Sequence, residues 1–573
     1  MKLLTECDLD AGVSPAIGDT VILGDWTRCR PQTAVTAESI RGRWWRRPYE
    51  ADGGRGVMLC VEQRDKDYPE SCLAPALTYP LRLEGTYEIW VGTYRDVAQG
   101  GIDIKFSGDT AYHSIRPAMG DAISEWPPTD TGKLVECLWQ TAALSGQDIC
   151  LRQPHGTYGT FWWGLCNAHI AYLKLIRRDP AQVRREETEL ARLERKTVIW
   201  DRDGFSYIWQ WGEQNLDCIL QQVEMLRGTA DILNWCIGES LFFTNFPHPM
   251  AGTRYHGGDR LGDHRYGRTC NYFEDQGIDV LRLLVERCHD VGMKIHASQR
   301  ANHLLFGAHE TVKAQHPEWL GTAGRLNYAN EELQRFMADH LLYIPGHYDV
   351  DGLTIDFTRA PLFFPADQED KCELMTRYLR LLRAGLDRVG RERGRPVSLF
   401  VSFECEGMYR PHAFRPRGWT PELTGLDIRT WVNERLVDCI MPEGKDAADY
   451  IAMCRGTGVM CCPRRSASLT LDGQVLRGEW QDRPPGDPVA AENKQDICFE
   501  KEYGPLEIFA GILKWYDAGA DGVFLFNQEG GGTVLRHLRY PELMRQEIAA
   551  GVSHGHRVLG RATWTETEAR RPT

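Results

Sequence analysis

Tyr348-Asp-Val-Asp-Gly-Leu-Thr-Ile-Asp-Phe-Thr-Arg359 reads as a turn, a buried strand and a charged exit. Leu353, Ile355 and Phe357 alternate with Thr354 and Asp356, which is the two-residue period of a strand. A carboxylate at the end of an apolar strand is costly to desolvate, so it needs partners or a purpose. In a parallel α/β barrel that position is where βα loops build the active site, which makes Asp356 the first candidate catalytic residue. The plainer alternatives are a helix cap or an ion pair with Arg359.

The sequence around this stretch has the same grammar. After Val198, apolar strands alternate with amphipathic helices, the pattern of βα units on a parallel sheet. Strands are expected at 204–211, 231–238, 293–298, 352–357, 397–403, 437–441, 459–463 and 521–526, with helices between them and after the last. Eight such units predict a (β/α)8 TIM barrel over 201–555. No Gly-x-Gly-x-x-Gly turn follows any strand, which disfavours a doubly wound nucleotide-binding sheet.

Residues 1–178 differ. Short alternating segments such as Val57–Val61, Thr86–Tyr94, Leu134–Trp139 and Ala168–Ile176 are separated by Gly, Pro, Asp and Ser. They predict an all-β sandwich of the jelly-roll kind, acting as an accessory domain. Trp44, Trp45, Tyr94, Trp162 and Trp163 are its conspicuous aromatics; they could form a sugar platform, but packing in the sandwich core or against the barrel is their expected fate. A charged helical linker covers 179–200, and 556–573 reads as a C-terminal tail.

At 573 residues the chain exceeds one ordinary core. A formal charge of -13 and a pI near 5.8 exclude a basic nucleic-acid surface. No run reaches the roughly 20 apolar residues of a membrane span, and the N-terminus lacks an apolar signal region. Most of the 18 cysteines sit singly in apolar runs, as reduced, buried cysteines do, and a cytoplasmic location is expected. Cys461 and Cys462 must face opposite sides if they lie on a strand.

The strand ends converge on one expected cavity: Glu213, Glu239, His296, Gln299, Arg300, His303, Asp356, Arg359, Glu404, Glu406, Glu443, Arg464, Asn527 and Glu529, with Trp209, Trp211 and Trp319 nearby. Paired carboxylates suit acetal cleavage, one protonating the leaving oxygen while the other attacks or activates water. Asp356 is expected as nucleophile or stabiliser, with Glu443 or Glu404 as acid/base. His296, Arg300, His303, Trp319, Arg359, Glu406, Asn527, Glu529 and Trp211 are expected to bind substrate. No metal or other cofactor is expected, because His296 with His303, and His256 with His264, form no ligand motif.

His316-Pro-Glu-Trp-Leu320, Arg325-Leu-Asn-Tyr-Ala-Asn330 and the opening stretch through Arg359 resemble the family-10-like glycosyl hydrolase group of TIM-barrel proteins. Val437–Glu443 and Ala520–Phe526 fit its pattern of core strands ending at the cavity. The resemblance covers roughly residues 200–550 and implies a sugar-active barrel beside a galactose-binding-like module. It implies a carbohydrate substrate; charge and hydropathy speak against nucleic-acid and membrane partners, and a homo-oligomer stays open. Family 10 xylanases place an Asn-Glu pair after the fourth strand. Asp356 stands there in this chain and looks like the nucleophile of retaining barrels, so xylanase activity does not carry over.

The expectation is a retaining, exo-acting glycoside hydrolase, with the excursions 239–276 and 464–504 walling a pocket. The alternatives are a non-catalytic glycan-binding protein on a degenerate barrel and a metal-dependent barrel hydrolase.

Overall fold

A computed structural model describes the chain except residues 53, 62–72, 96–100, 116–131, 155–167, 205–207, 209–216, 239–243, 251–260, 303, 305–307, 359–360, 406–419, 445–446, 467–503, 527–531 and 566–573. Its centre is a closed ring of parallel strands: β1 (Thr197–Arg202), β2 (Ile232–Cys236), β3 (Lys294–Arg300), β4 (Gly352–Asp356), β5 (Ser398–Glu404), β6 (Cys439–Glu443), β7 (in two pieces, Met460–Cys461 and Arg464–Ser466) and β8 (Gly522–Phe526). Each strand pairs with the next, and β8 closes on β1 with Thr197 opposite Gly522 and Asp201 opposite Phe526. This is the predicted eight-stranded α/β barrel.

Helices wrap it at Asp217–Glu224, Val280–Asp290, Glu331–His347, Lys371–Arg393, Ile428–Asn433, Ala447–Cys454, Pro505–Asp517 and Pro541–Ala550. The Glu331–His347 helix starts where Asn330 Oδ1 accepts from the Glu332 and Leu333 amides, satisfying two otherwise unpaired donors. Between β2 and β3, Leu261–Asp275 is helical, so much of that excursion is regular structure.

One strand differs from expectation. The first lies at Thr197–Arg202, ahead of 204–211, where Gly204 and Ile208 are helical positions. Both runs are rich in aromatic and β-branched residues, so propensity could not separate them. Packing does: a Cβ on Gly204 would sit 2.2 Å from the Cys236 carbonyl oxygen, so the chain leaves the ring at a point where only glycine fits.

The barrel's walls contain two separate apolar cores. The larger lies between strands and helices, and a smaller one, inside the ring, is built from Ile199, Ile232, Phe400, Cys439, Met441, Cys462 and Phe524. Cys461 belongs to the outer core and Cys462 to the inner, opposite faces as strand alternation requires. The described cysteines carry no disulfide.

The N-terminal region holds a nine-stranded and a four-stranded sheet. Val21, Leu59, Ile89, Val135 and Leu173 of the first share one core with Leu77, Ile104, Phe106 and Leu151 of the second. Trp44 is fully buried there and donates to the Pro75 carbonyl at 2.8 Å, while Trp45 and Tyr94 pack in a smaller cluster on the other face. Trp162 and Trp163 lie outside the described residues.

The expected C-terminal tail is in part a strand. His556–Trp564 inserts between Trp44–Ala51 and Lys133–Ala143, pairing antiparallel with both. Its sequence, with Val558, Ala562 and Trp564 at even spacing, carries the strand period, but its partners lie more than 400 residues back and leave no local trace. Helix Pro180–Leu190 joins the two regions, and Arg152 links them again, ion-paired with Asp103 at 3.1 Å and with Asp217.

Candidate active site

Strand parity decides which side chains enter the ring, and chemistry changes along its axis. Two residues beyond the inner apolar core, Ile199 gives way to Asp201, Ile232 to Asn234, Phe400 to Ser402, Met441 to Glu443 and Cys462 to Arg464. Thr354 is likewise followed by Asp356, and Ser298 by Arg300. All are buried. The polar layer therefore lies at the C-terminal end of the barrel, where such folds carry their sites.

Arg464 organises this layer. Its Nη1 donates to Ser402 Oγ at 2.7 Å and to Asp356 Oδ1 and Thr358 Oγ1, each at 3.3 Å. Its Nε lies 3.2 Å from Glu443 Oε2, and its guanidinium rests over the Phe526 ring at 4.1 Å. One cation thus connects β4, β5, β6 and β8 while only 3% exposed, a position sustained only by paired charge.

Asp356 Oδ1 also accepts from the Thr358 amide at 2.9 Å and from its hydroxyl at 2.6 Å. Burial pushes the carboxyl up, but Arg464, Arg300 and the two Thr358 hydrogen bonds outweigh it and hold Asp356 below the ordinary aspartate range. Arg300 meets Asp203 at 3.3 Å.

Asp201 behaves in the opposite way. It is fully enclosed, and Asn234 Nδ2 donates to its Oδ1 at 2.5 Å. Burial raises it to about 7; Arg464 and Asn234 oppose the shift, and the charges of Asp356 and Asp203 add to it. Two carboxyls in one layer are thereby pushed apart, Asp356 ionised and Asp201 holding a proton near neutrality.

Of the expected site residues, the ring brings Arg300, Asp356, Glu404 and Glu443 together at its upper end, with Glu404 directly opposite Glu443 in register. His296 is not among them. It pairs with Gly352 at the start of β4, packs on Phe400 with ring centroids 4.2 Å apart, and burial lowers it to about 3. Strand β3 continues to Arg300, which leaves His296 at the floor, four residues below the mouth.

Trp319 is also displaced from its expected role. It is 1% exposed, stacked on His316 at 3.8 Å and packed on Phe336, so neither ring face is open to a ligand. Gln299 points outward and hydrogen-bonds His340. Trp209, Trp211, Glu213, Glu239, His303, Arg359, Glu406, Asn527 and Glu529 lie outside the described residues. So do His256 and most of 464–504.

Asp201 and Asp203 escape the sequence reading because it puts the first strand one segment too late, and Asn234 because it lies inside the expected second strand, short of its end. The signal existed: Val198-Ile-Trp-Asp201 is an apolar strand ending in aspartate, the pattern that identified Asp356. Among the described residues no group of three His, Cys, Asp or Glu side chains could hold a metal ion. No helix among them is long and apolar enough to cross a membrane.

No protein-family model matches the chain, and no curated protein matches it in sequence. Solved structures do align with it. A glycoside hydrolase family 18 N-acetylglucosaminidase from Paenibacillus barengoltzii matches with 14% identity and a TM-score of 0.34, covering 60% of this chain and 99% of the other. A group IV chitinase from Ostrinia furnacalis matches with 11% identity and a TM-score of 0.34, over 62% of this chain and 100% of the other. A maltogenic α-amylase from Thermotoga neapolitana matches with 16% identity and a TM-score of 0.28, over 48% and 60%. Similarity this low carries no argument about activity.

Proposed function

We infer that the protein is a glycoside hydrolase whose reaction centre is the polar layer of the barrel. The observation that carries this reading is Asp356, a buried carboxylate kept ionised at the end of β4 by two guanidiniums and two Thr358 hydrogen bonds. Such a group suits a developing oxocarbenium ion, either as nucleophile or as electrostatic stabiliser. Its Oδ1 takes all three described donors, so Oδ2 is the oxygen presented to an anomeric carbon. The resemblance of its stretch to the family-10-like glycosyl hydrolase group adds to the case, and a retaining mechanism with Asp356 as nucleophile is our preferred form. Exo action is part of the same reading, and so is a cytoplasmic setting.

Glu443 Oε2 lies 3.2 Å from Arg464 Nε, so Asp356 and Glu443 meet one guanidinium. The same ion pair supports the rival reading. A guanidinium bridging two candidate catalytic carboxylates would suit a glycan-binding barrel without catalysis.

A panel of aryl α- and β-glycosides separates the two. Release of the aryl group by the wild type, abolished in Asp356→Asn, supports hydrolysis; carbohydrate binding without turnover supports the rival. The anomer formed first, read by proton NMR, tests retention, and the products from an oligosaccharide test exo action.

A further inference from the structure

We propose that Asp201, on the first barrel strand, is the proton donor of this site and that Asn234 is its positioning residue. The inference rests on the hydrolase reading above and adds the identity of the acid.

Asp201 is the inward side chain at the end of β1, level with Phe526 of β8 on one side and Asn234 of β2 on the other. The other carboxylates with described partners here each meet a guanidinium: Asp356 and Glu443 meet Arg464, and Asp203 meets Arg300. The described hydrogen bond of Asp201 comes instead from a neutral amide. A neutral partner leaves the protonated carboxyl affordable, whereas a cation penalises it.

The facing charges agree with this assignment. From just beyond β1 comes Asp203, from β4 Asp356 and from β7 Arg464; the two carboxylates disfavour a third negative charge and the cation only partly offsets them. Enclosure does most of the work in raising Asp201 to about 7. An acid with that affinity is protonated on the acid side of neutrality and releases its proton readily.

In the proposed step the Asp201 proton passes to the glycosidic oxygen as the bond to the anomeric carbon breaks. The bonding electron pair leaves with that oxygen, and Asp356 attacks or stabilises the cationic carbon. Water then supplies hydroxide to the carbon and its proton returns to Asp201. No oxidant or further reactant is required.

The test compares two glycosides of one sugar accepted by the wild type, one with a dinitrophenyl and one with an alkyl leaving group. Asp201→Asn is expected to lose about 10²- to 10⁴-fold in kcat/KM on the alkyl glycoside and under about tenfold on the dinitrophenyl one. The basic limb of the wild-type pH profile, falling near pH 7, should disappear in the variant. Asn234→Ala, which retains the acid, should shift that limb while keeping the wild type's relative rates on the two glycosides, and a purely structural loss would leave the limb in place.

Equal losses on both glycosides in folded Asp201→Asn, or the leaving-group signature appearing in Glu443→Gln instead, overturn the assignment while leaving the hydrolase reading intact. A wild type inert on the whole panel overturns the hydrolase reading and this inference with it. Infrared difference spectra of wild type against Asp201→Asn at about pH 6 give a readout without turnover: a protonated-carboxyl band is expected, and its absence overturns the proposal.

Discussion

The lower and upper halves of the barrel interior use the same strands and the same inward parity, yet have opposite chemistry. Below, Ile199, Ile232, Phe400, Met441 and Cys462 fill the ring with apolar volume. About 7 Å higher, two residues on, Asp201, Asn234, Ser402, Glu443 and Arg464 replace them. The lower half needs only volume and the exclusion of water. The upper half buries charge, which costs several kcal/mol per ion and persists only through exact partners. Nothing in the packing requires that expense, and this is the ground on which the reaction centre is proposed there.

The largest effect expected is on turnover. Asp356→Asn should reduce kcat/KM by about 10³-fold or more with the fold intact, since it removes charge aimed at the reacting carbon. Thermal melting and circular dichroism would check the fold. Near-normal turnover would reduce the upper half to a structural ion cluster and remove the contrast.

Two stability measurements sharpen the comparison. Phe400→Ala in the lower half should cost about 3–5 kcal/mol, through lost burial and a residual cavity, at any pH. Arg464→Met in the upper half should cost about 3–5 kcal/mol near neutrality, because Asp356 and Glu443 lose their cation. That second loss should shrink in acid. Asp356 is held low in the folded protein, so its stabilisation is present above the ordinary aspartate range and fades as pH falls through it. Denaturant melts at neutral and acidic pH distinguish the pair; equal pH dependence would mean that the layers do not differ as described.

Much of this was legible in the sequence because the barrel strands announce themselves. Val397–Phe403 and Gly352–Phe357 are unbroken apolar or alternating runs between amphipathic helices, and seven of the eight strands fall where those runs lie. The first did not, since Thr197–Arg202 and 204–211 have equal strand propensity and only the close approach of Gly204 to Cys236 decides between them. Asp201 was lost with it. His296 was misjudged because sequence gives a residue's parity but not its height in the ring, which depends on where β3 ends. The pairing of His556–Trp564 with strands from the N-terminal region is wholly non-local.

A smaller effect probes Asp201 alone. Its raised folded affinity means that folding favours the proton, so its contribution to stability falls as pH rises from the unfolded range through about 7. Asp201→Asn should therefore melt higher than the wild type at pH 8 and gain less at pH 5, by about 2–4 °C for each kcal/mol. No difference between the two pH values would place Asp201 in a wetter, ordinary setting.

The most direct test of the account is the hydrolysis of the aryl glycoside panel by wild type and Asp356→Asn side by side. The account predicts aryl release from at least one sugar by the wild type, and about a thousandth of that rate or less from the folded variant. Equal rates in the two proteins, or no release from any substrate by the wild type, would contradict it.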